Sequence, residues 1–428
     1  MKKREHIVVV GLGYVGLPLA ALAAEKGYKV FGIAKGKQKV NALNKGVNTL
    51  PDEPSIAPTV AKKLIKASTS YEAVKRADIV IICVPTPVDH LYNPDLTPVI
   101  AAAKGIAKHF RKGQLIILES TVNPGVCEEV VLPILGAGGK RKVGRDFDLA
   151  HCPERIDPGN EKWNVRNIPR CVGALTPRGA QRAAKFYRSI ITGEVRVMKS
   201  IKEAEATKII ENTFRDINIA YVNELAKSFD VLGIDVYDVI QGAATKPFAF
   251  MPHYPSVGVG GHCIAVDPYY LIERARKAGF DHKFLKLARE INNSMPGYTV
   301  GKLRDVLNEI GKSVKDTHVG VLGLSYKANV GDIRESPSLK VIELLKQFGA
   351  KVHVYDPYFV EQSTEKDLDS LLKNVDAVIL ATNHKVFLEK LTPNFLQRKK
   401  VRIVIDGKNA LDKEGILAAK ILYKGVGR

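Results

Sequence analysis

The chain has 428 residues, too many for one ordinary hydrophobic core, so two or three domains are expected. Apolar residues make up 45% of it, enough for large cores, yet no apolar run approaches the roughly 20 residues that span a bilayer. Lys and Arg number 65 against 45 Asp and Glu, a formal net charge of +20. The densest basic runs, 35–39 and 398–402, lack interleaved aromatics, and solvated surface lysines explain the charge at least as well as nucleic-acid binding does.

The five cysteines, at 83, 127, 152, 171 and 263, are odd in number and include no Cys-x-x-Cys pair. Neither a disulfide framework nor a metal site is expected. The pairs His151-Cys152 and His262-Cys263 do not alter this, because adjacent side chains on a strand or turn point in different directions. The N-terminal residues run straight into an apolar strand with no small-residue cleavage site, so the expected compartment is the cytoplasm.

In chain order, His6 to Val10 reads as a buried strand, Gly11-Leu12-Gly13-Tyr14-Val15-Gly16 follows at once, and Leu17 to Lys26 is an Ala/Leu-rich helix. A second strand, Tyr28 to Ile33, completes a βαβ unit. In that context the G-x-G-x-x-G glycines bring backbone N–H groups and a helix N-terminus to a pyrophosphate, so a dinucleotide site is expected. The acid that would bind the adenosine ribose is missing. Ala34 stands in its place, followed by Lys35 and Lys37, which predicts NAD with tolerance for the 2′-phosphate of NADP.

Further strands are expected at Asp78 to Val84, Gln114 to Glu119 and from Asp148, each ending in small or polar residues where ligands sit in open α/β sheets. Ser200 to Glu203 is a capping box, and a long helix follows to about Phe229. Lys208, Asn212 and Arg215 form one polar stripe on it. Ile209, Ile210, Phe214 and Tyr221 surround the stripe, so the helix is expected to be buried on much of its circumference, with Lys208 and Asn212 as site residues.

In the stretch Gly260-Gly261-His262-Cys263-Ile264-Ala265-Val266-Asp267, two glycines let backbone approach a ligand, a thiol follows, and a carboxylate lies four residues beyond it. That pattern suits a covalent site. A second α/β module begins near residue 317, with strands from His318, Lys351 and Ala377 and a last one at Val401 to Ile405. Lys327, Asp332 and Arg334 lie in the loop after its first strand, where cations meet phosphate oxygens. The fold class is therefore α/β. Two Rossmann-like domains, 1–200 and 317–428, are joined by a helical central domain, 201–316.

Taken together, Gly11 to Pro18, Val84 to Pro87, Glu119-Ser120-Thr121, Cys152 to Arg155, Lys208 to Asp216, Gly258 to Tyr270, Ser325 to Lys327 and Arg334 to Pro337 resemble the UDP-glucose/GDP-mannose dehydrogenase family over essentially the whole chain. Within it they are similar to the members acting on UDP-N-acetylhexosamines. The resemblance implies a four-electron oxidation of a sugar 6-hydroxymethyl to a carboxylate with two molecules of NAD. The aldehyde is held on Cys263 as a thiohemiacetal and then a thioester.

By the same resemblance Lys208 stabilises the developing oxyanion with Asn212 as its partner, Asp267 orients water or tunes Lys208, and Glu154 and Thr121 hold a water. Gly11, Gly13, Tyr14, Val15, Gly16, Thr86, Thr121 and Arg334 fall at cofactor positions. Arg155, Ile156, Lys208, Asn212, Arg215, Gly260, Tyr326 and Lys327 fall at nucleotide-sugar positions. The long helix corresponds to a homodimer core. Ala34 departs from the family's usual Asp, and Asn383 stands where relatives often carry Asp.

The Gly261 to Pro268 and Phe214 to Asn218 segments look like the N-acetylmannosamine branch, whereas Thr245 to Phe248 and Asp157 to Asn160 look more like the N-acetylglucosamine branch. The balance favours mannosamine. Three rivals are weighed at this level: a dinucleotide-binding scaffold without catalysis, a basic nucleic-acid-binding protein, for which no groove-reading motif speaks, and a two-electron dehydrogenase that stops at the aldehyde. Retention of Lys208, Cys263 and Asp267 together speaks against the first.

Overall fold

The computed structural model describes residues 5–50, 53–89, 93–156, 160, 162–261 and 263–428. They form two compact units. One comprises residues 1–211 with 269–280, the other 212–268 with 281–428.

The first unit is built on an eight-stranded sheet. Its strands are β1 (His6–Val10), β2 (Lys29–Ile33), β3 (Ile65–Ser68), β4 (Ile79–Ile82), β5 (Gln114–Leu118), β6 (Phe147–His151), β7 (Arg170–Ala174) and β8 (Val195–Val197). They lie in the order β3-β2-β1-β4-β5-β6-β7-β8, all parallel except where β7 runs against β6. The central strands are unbroken apolar runs because both faces are covered; Ile7, Val8, Val9, Ile81, Ile116 and Ile117 are fully buried. The order reverses at β1 and β4, and the loops after these strands flank the crevice where ligands of open α/β sheets bind.

The second unit carries a five-stranded parallel sheet of β9 (His318–Leu322), β10 (Lys351–Tyr355), β11 (Ala377–Leu380), β12 (Ile403–Asp406) and β13 (Leu422–Gly425), ordered β10-β9-β11-β12-β13. The two α/β sheets are those read from the sequence. The strands that reading missed are β3, β7, β8 and β13, three of them at sheet edges. Edge strands such as Ile-Lys-Ala-Ser and Leu-Tyr-Lys-Gly keep polar residues on an open side and lack the continuous apolar signal.

Between the sheets in sequence runs the helix Ile201–Leu232. Its capping box forms as expected: the Ser200 amide donates to Glu203 at 3.1 Å, and the Glu203 amide donates to the Ser200 hydroxyl at 3.2 Å. Its burial differs from expectation. Ile209 is buried, but Ile210, Phe214 and Tyr221 are 61%, 47% and 57% exposed, and Arg215 is exposed too. The buried side mixes the polar Glu205, Lys208, Asn212, Asp216 and Asn223 with Ile201, Ala204, Ile209, Ala220, Val222 and Ala226. Within a single chain Ile210, Phe214 and Tyr221 present an apolar surface outward.

Candidate active site

In the first unit the glycine loop follows β1 and leads into the helix Gly16–Glu25. Gly11 sits at φ +98°, and a Cβ there would lie 2.4 Å from the Cys83 carbonyl oxygen; one on Gly16 would lie 1.9 Å from the Gly11 carbonyl oxygen. These two glycines permit close packing of strand, loop and helix. A Cβ on Gly13 meets nothing within 4 Å, so the middle of the loop faces open space where a pyrophosphate can approach backbone N–H groups. Tyr14 is exposed and Val15 half-buried beside it. The loop therefore fits a dinucleotide. Ala34 follows β2 half-buried, with Lys35 and Lys37 exposed just beyond.

Loops after β4 and β5 are tied together. The Ser120 hydroxyl donates to the Val84 carbonyl at 2.7 Å, and Tyr270 donates its hydroxyl to the carbonyl of the buried Thr86 at 2.6 Å. Thr121, next to Ser120, is half-buried.

Glu154 follows β6 and is held from three directions. Its Oε1 accepts the amides of Arg155 at 2.6 Å and Ile156 at 2.7 Å, while its Oε2 accepts Arg170 Nη1 at 2.8 Å. Arg170 is fully buried and also lies 3.8 Å from Glu119, which accepts the Tyr187 hydroxyl. Burial pushes the Glu119 carboxyl above its ordinary range, and Arg170 opposes this only in part. Sequence reasoning missed Arg170 because a lone Arg at a strand start carries no motif. The Arg155 guanidinium is engaged by Glu211 at 2.7 Å and by the Pro169 carbonyl at 2.9 Å.

Lys208 is 8% exposed and stands one helical turn before Asn212. Glu205, three residues before Lys208, is fully buried and accepts the amides of Gly125 and Cys127. Its carboxylate, the Cys127 sulfur and a ring nitrogen of His151 lie within 4.8 Å of one another. Sequence reasoning expected no metal, and this trio offers three groups where a structural zinc takes four. Both Glu205 oxygens already accept backbone amides, and burial lowers His151 to about 3, leaving the ring neutral.

In the second unit Cys263 is exposed; the other four cysteines of the chain are buried. Its carbonyl accepts the Asp267 amide at 2.8 Å, which opens the helix Asp267–Lys277. Asp267, 2% exposed, accepts the Asn212 side-chain amide at 2.5 Å.

A buried polar network ties the helix Ile201–Leu232 to the helix Lys283–Glu309 and to Ser256. Asn223 accepts the Ser256 amide at 2.9 Å and donates to Asn292 at 2.9 Å; Asn292 donates to Asp216 at 2.8 Å, and Asp216 pairs with Arg289 at 2.5 Å. Asp216 fell within a recognised motif, but its buried partners on the helix Lys283–Glu309 did not.

The glycine pair packs closely against the loop after β9. A Cβ on Gly260 would lie 2.7 Å from both the Glu335 carbonyl oxygen and Tyr326 Cβ, and one on Gly261, at φ +82°, would lie 2.7 Å from the Tyr326 ring. Both glycines make room for Tyr326 and its loop. The Gly261 amide also donates to the Arg334 carbonyl at 3.0 Å, and Arg334 holds Asp332 through Nε at 3.0 Å and Nη2 at 2.6 Å. Lys327 is half-buried in the same loop. His262 and residues 157–159 lie outside the described residues.

Comparison with known proteins agrees along the chain. The NAD binding, central and UDP binding domain models of the UDP-glucose/GDP-mannose dehydrogenase family match residues 5–191, 202–294 and 320–413. A UDP-N-acetyl-D-mannosamine dehydrogenase of Pyrococcus horikoshii is 34% identical over 99% of both chains. A UDP-N-acetyl-D-glucosamine 6-dehydrogenase of Pseudomonas aeruginosa is 34% identical over 95% of this chain and 97% of its own length. The solved structure of the UDP-D-ManNAc dehydrogenase from Pyrococcus horikoshii superposes with a TM-score of 0.91 at 33% identity, covering 99% of both chains. With its glycine loop, its thiol ahead of Asp267 and its three matched domains, this chain belongs to the UDP-glucose/GDP-mannose dehydrogenase family.

Proposed function

We propose that this protein oxidises UDP-N-acetyl-D-mannosamine to UDP-N-acetyl-D-mannosaminuronate, using water and two molecules of NAD per sugar. The observation that carries this reading is the exposed Cys263 four residues before Asp267, whose carboxylate is bound by Asn212. The substrate named for the Pyrococcus horikoshii relative supports the sugar. NAD, when bound, accepts a hydride from the sugar carbon in each oxidation.

This chain's residues do the remaining work. Lys208 stabilises negative charge on the reacting oxygen, and Asn212 with Asp267 orients that cation and the attacking water. The Cys263 thiolate adds to the aldehyde, giving a thiohemiacetal that cannot diffuse away. A second hydride loss gives the thioester, and water held by Glu154 and Thr121 releases the carboxylate and regenerates the thiol. Arg155, Ile156, Arg215, Gly260, Tyr326 and Lys327 bind the nucleotide sugar, and Gly11, Gly13, Tyr14, Val15, Gly16, Thr86 and Arg334 the cofactor.

The working division is residues 1–200 for NAD, 201–316 for the catalytic helices and 317–428 for the UDP moiety. The enzyme acts in the cytoplasm as a homodimer, an assembly supported by the exposed apolar face of the helix Ile201–Leu232. It tolerates NADP, since Ala34 leaves no carboxylate to repel a 2′-phosphate and Lys35 and Lys37 follow it. A strong preference for NAD over NADP in turnover would sink that last point.

The second reading is a UDP-N-acetyl-D-glucosamine 6-dehydrogenase, favoured by Thr245 to Phe248 and by the equal identity to the Pseudomonas aeruginosa relative. Counting NADH per sugar consumed with each epimer in parallel separates them. Two NADH per UDP-N-acetylmannosamine, and none with the gluco epimer, is expected. One NADH per sugar would mean that oxidation stops at the aldehyde.

A further inference from the structure

We infer that Glu205 is a positioning residue that locks the loop 120–127, and with it Thr121, onto the helix that carries Lys208. The inference rests on the roles proposed above for Thr121 and Lys208. Glu205 has no exposed surface, and its carboxylate spends both oxygens on main-chain donors: Oε2 accepts the Gly125 amide at 2.6 Å and Oε1 the Cys127 amide at 2.8 Å.

Those donors are ones the loop cannot satisfy alone. Cys127 opens the π-helix Cys127–Val131, whose first N–H groups lack partners within the helix, and a carboxylate at that end also complements its dipole. Single turns of π-helix are rare and occur mostly at functional sites. Gly125 is held at φ +103°, a conformation that side chains disfavour, and its own carbonyl accepts the Glu129 amide at 2.8 Å.

The loop is thus pinned at both ends. Ser120 is fixed to the Val84 carbonyl before Thr121, and Glu205 grips Gly125 and Cys127 after it. Val122 and Val126, buried at 1% and 4%, close the space between. Glu205 and Lys208 lie three residues apart on one helix, so they share a face, and a shift of the loop is a shift of Thr121 relative to Lys208. Cys127 and His151 pack around the carboxylate and keep water from competing for the two amides.

The test uses the full-length enzyme and two readouts. Hydrogen exchange on the unaltered protein is expected to show the segment 120–127 strongly protected; exchange at the rate of a free loop would overturn the tether. In Glu205→Gln the carboxamide can accept one amide but turns its NH₂ toward the other. Protection is then expected to be lost at 125–127, and kcat to fall by up to about 10²-fold, as for a small misplacement of a reacting group, while KM for the nucleotide sugar is unchanged.

A double-mutant cycle with Thr121→Ala distinguishes positioning from general stabilisation. The double variant is expected to be no slower than Thr121→Ala alone, whereas independent additive losses would overturn the inference. If Glu205→Gln fails to fold, the exchange experiment on the unaltered protein decides. Absence of dehydrogenase turnover in the unaltered protein would sink the proposed function, and the exchange pattern would still judge the tether. A stoichiometric metal in the purified enzyme that disappears in Glu205→Gln would overturn it in favour of a Cys127-His151-Glu205 metal centre.

Discussion

Asn212 donates its side-chain amide to Asp267 at 2.5 Å, with both residues buried. The contact engages Oδ2 of the carboxylate and holds it against the helix Ile201–Leu232. Asp267→Asn, nearly identical in shape, is expected to lower kcat by roughly 10²–10⁴-fold with little change in melting temperature, because it removes charge and basicity rather than volume. Asn212→Asp should behave differently. Two carboxylates this close cannot both ionise, so its residual activity should shift toward lower pH, where one of them is protonated. Steady-state kinetics across pH check both variants.

The cysteines predict a thiol titration. Burial pushes the Cys83 and Cys127 thiols well above their ordinary value, and it raises Cys152 and Cys171 as well. Cys263 is exposed. Of the chain's five thiols, one is therefore expected to react rapidly with a disulfide reagent in the native enzyme, and all five after denaturation. Rapid reaction of a second native thiol would contradict the burial.

Glu119 predicts a pH dependence of stability. Burial, only partly offset by Arg170 at 3.8 Å, raises its folded-state pKa above the unfolded value of 4.5. Its contribution is therefore fully present below about pH 4.5 and is lost as pH rises through the higher folded value. Glu119→Gln, which stays neutral, should lack this component. The melting temperature of the unaltered protein relative to that variant is expected to decline as pH rises from 4.5 toward and beyond neutrality.

The outward side of the long helix predicts an assembly. Ile210, Phe214 and Tyr221 are 61%, 47% and 57% exposed, and Val231 near the helix end is 88% exposed. Phe214→Glu and Tyr221→Glu place charge in that face and are expected to convert a dimer into a monomer by sedimentation velocity. An unaltered sedimentation coefficient would refute the helix as the contact.

Local chemistry was legible from the residues alone. The glycine loop needs only Gly11, Gly13 and Gly16 at their spacing after an apolar strand, and the capping box needs only Ser200 and Glu203. Each is a contact within a few residues, governed by backbone conformation and by donors the helix end leaves unsatisfied. Strands with both faces buried announced themselves by continuous Val and Ile. The edge strands β3, β8 and β13, half open to solvent, did not.

The tertiary structure decided what depends on residues far apart in the chain. Glu205 reaches Gly125 across 80 residues, Tyr187 reaches Glu119 across 68, and Asn223 reaches Asn292 across 69. Nothing in the local pattern of any of these residues names its partner. The faces of the helix Ile201–Leu232 were misjudged for a related reason: periodicity tells which residues share a side, but not which side is buried. Here the buried side carries polar residues, Glu205, Lys208, Asn212, Asp216 and Asn223, among its apolar ones. Its carboxylates and amides are paid for by partners on the loop after β5 and on the helices Asp267–Lys277 and Lys283–Glu309, which only folding brings to them.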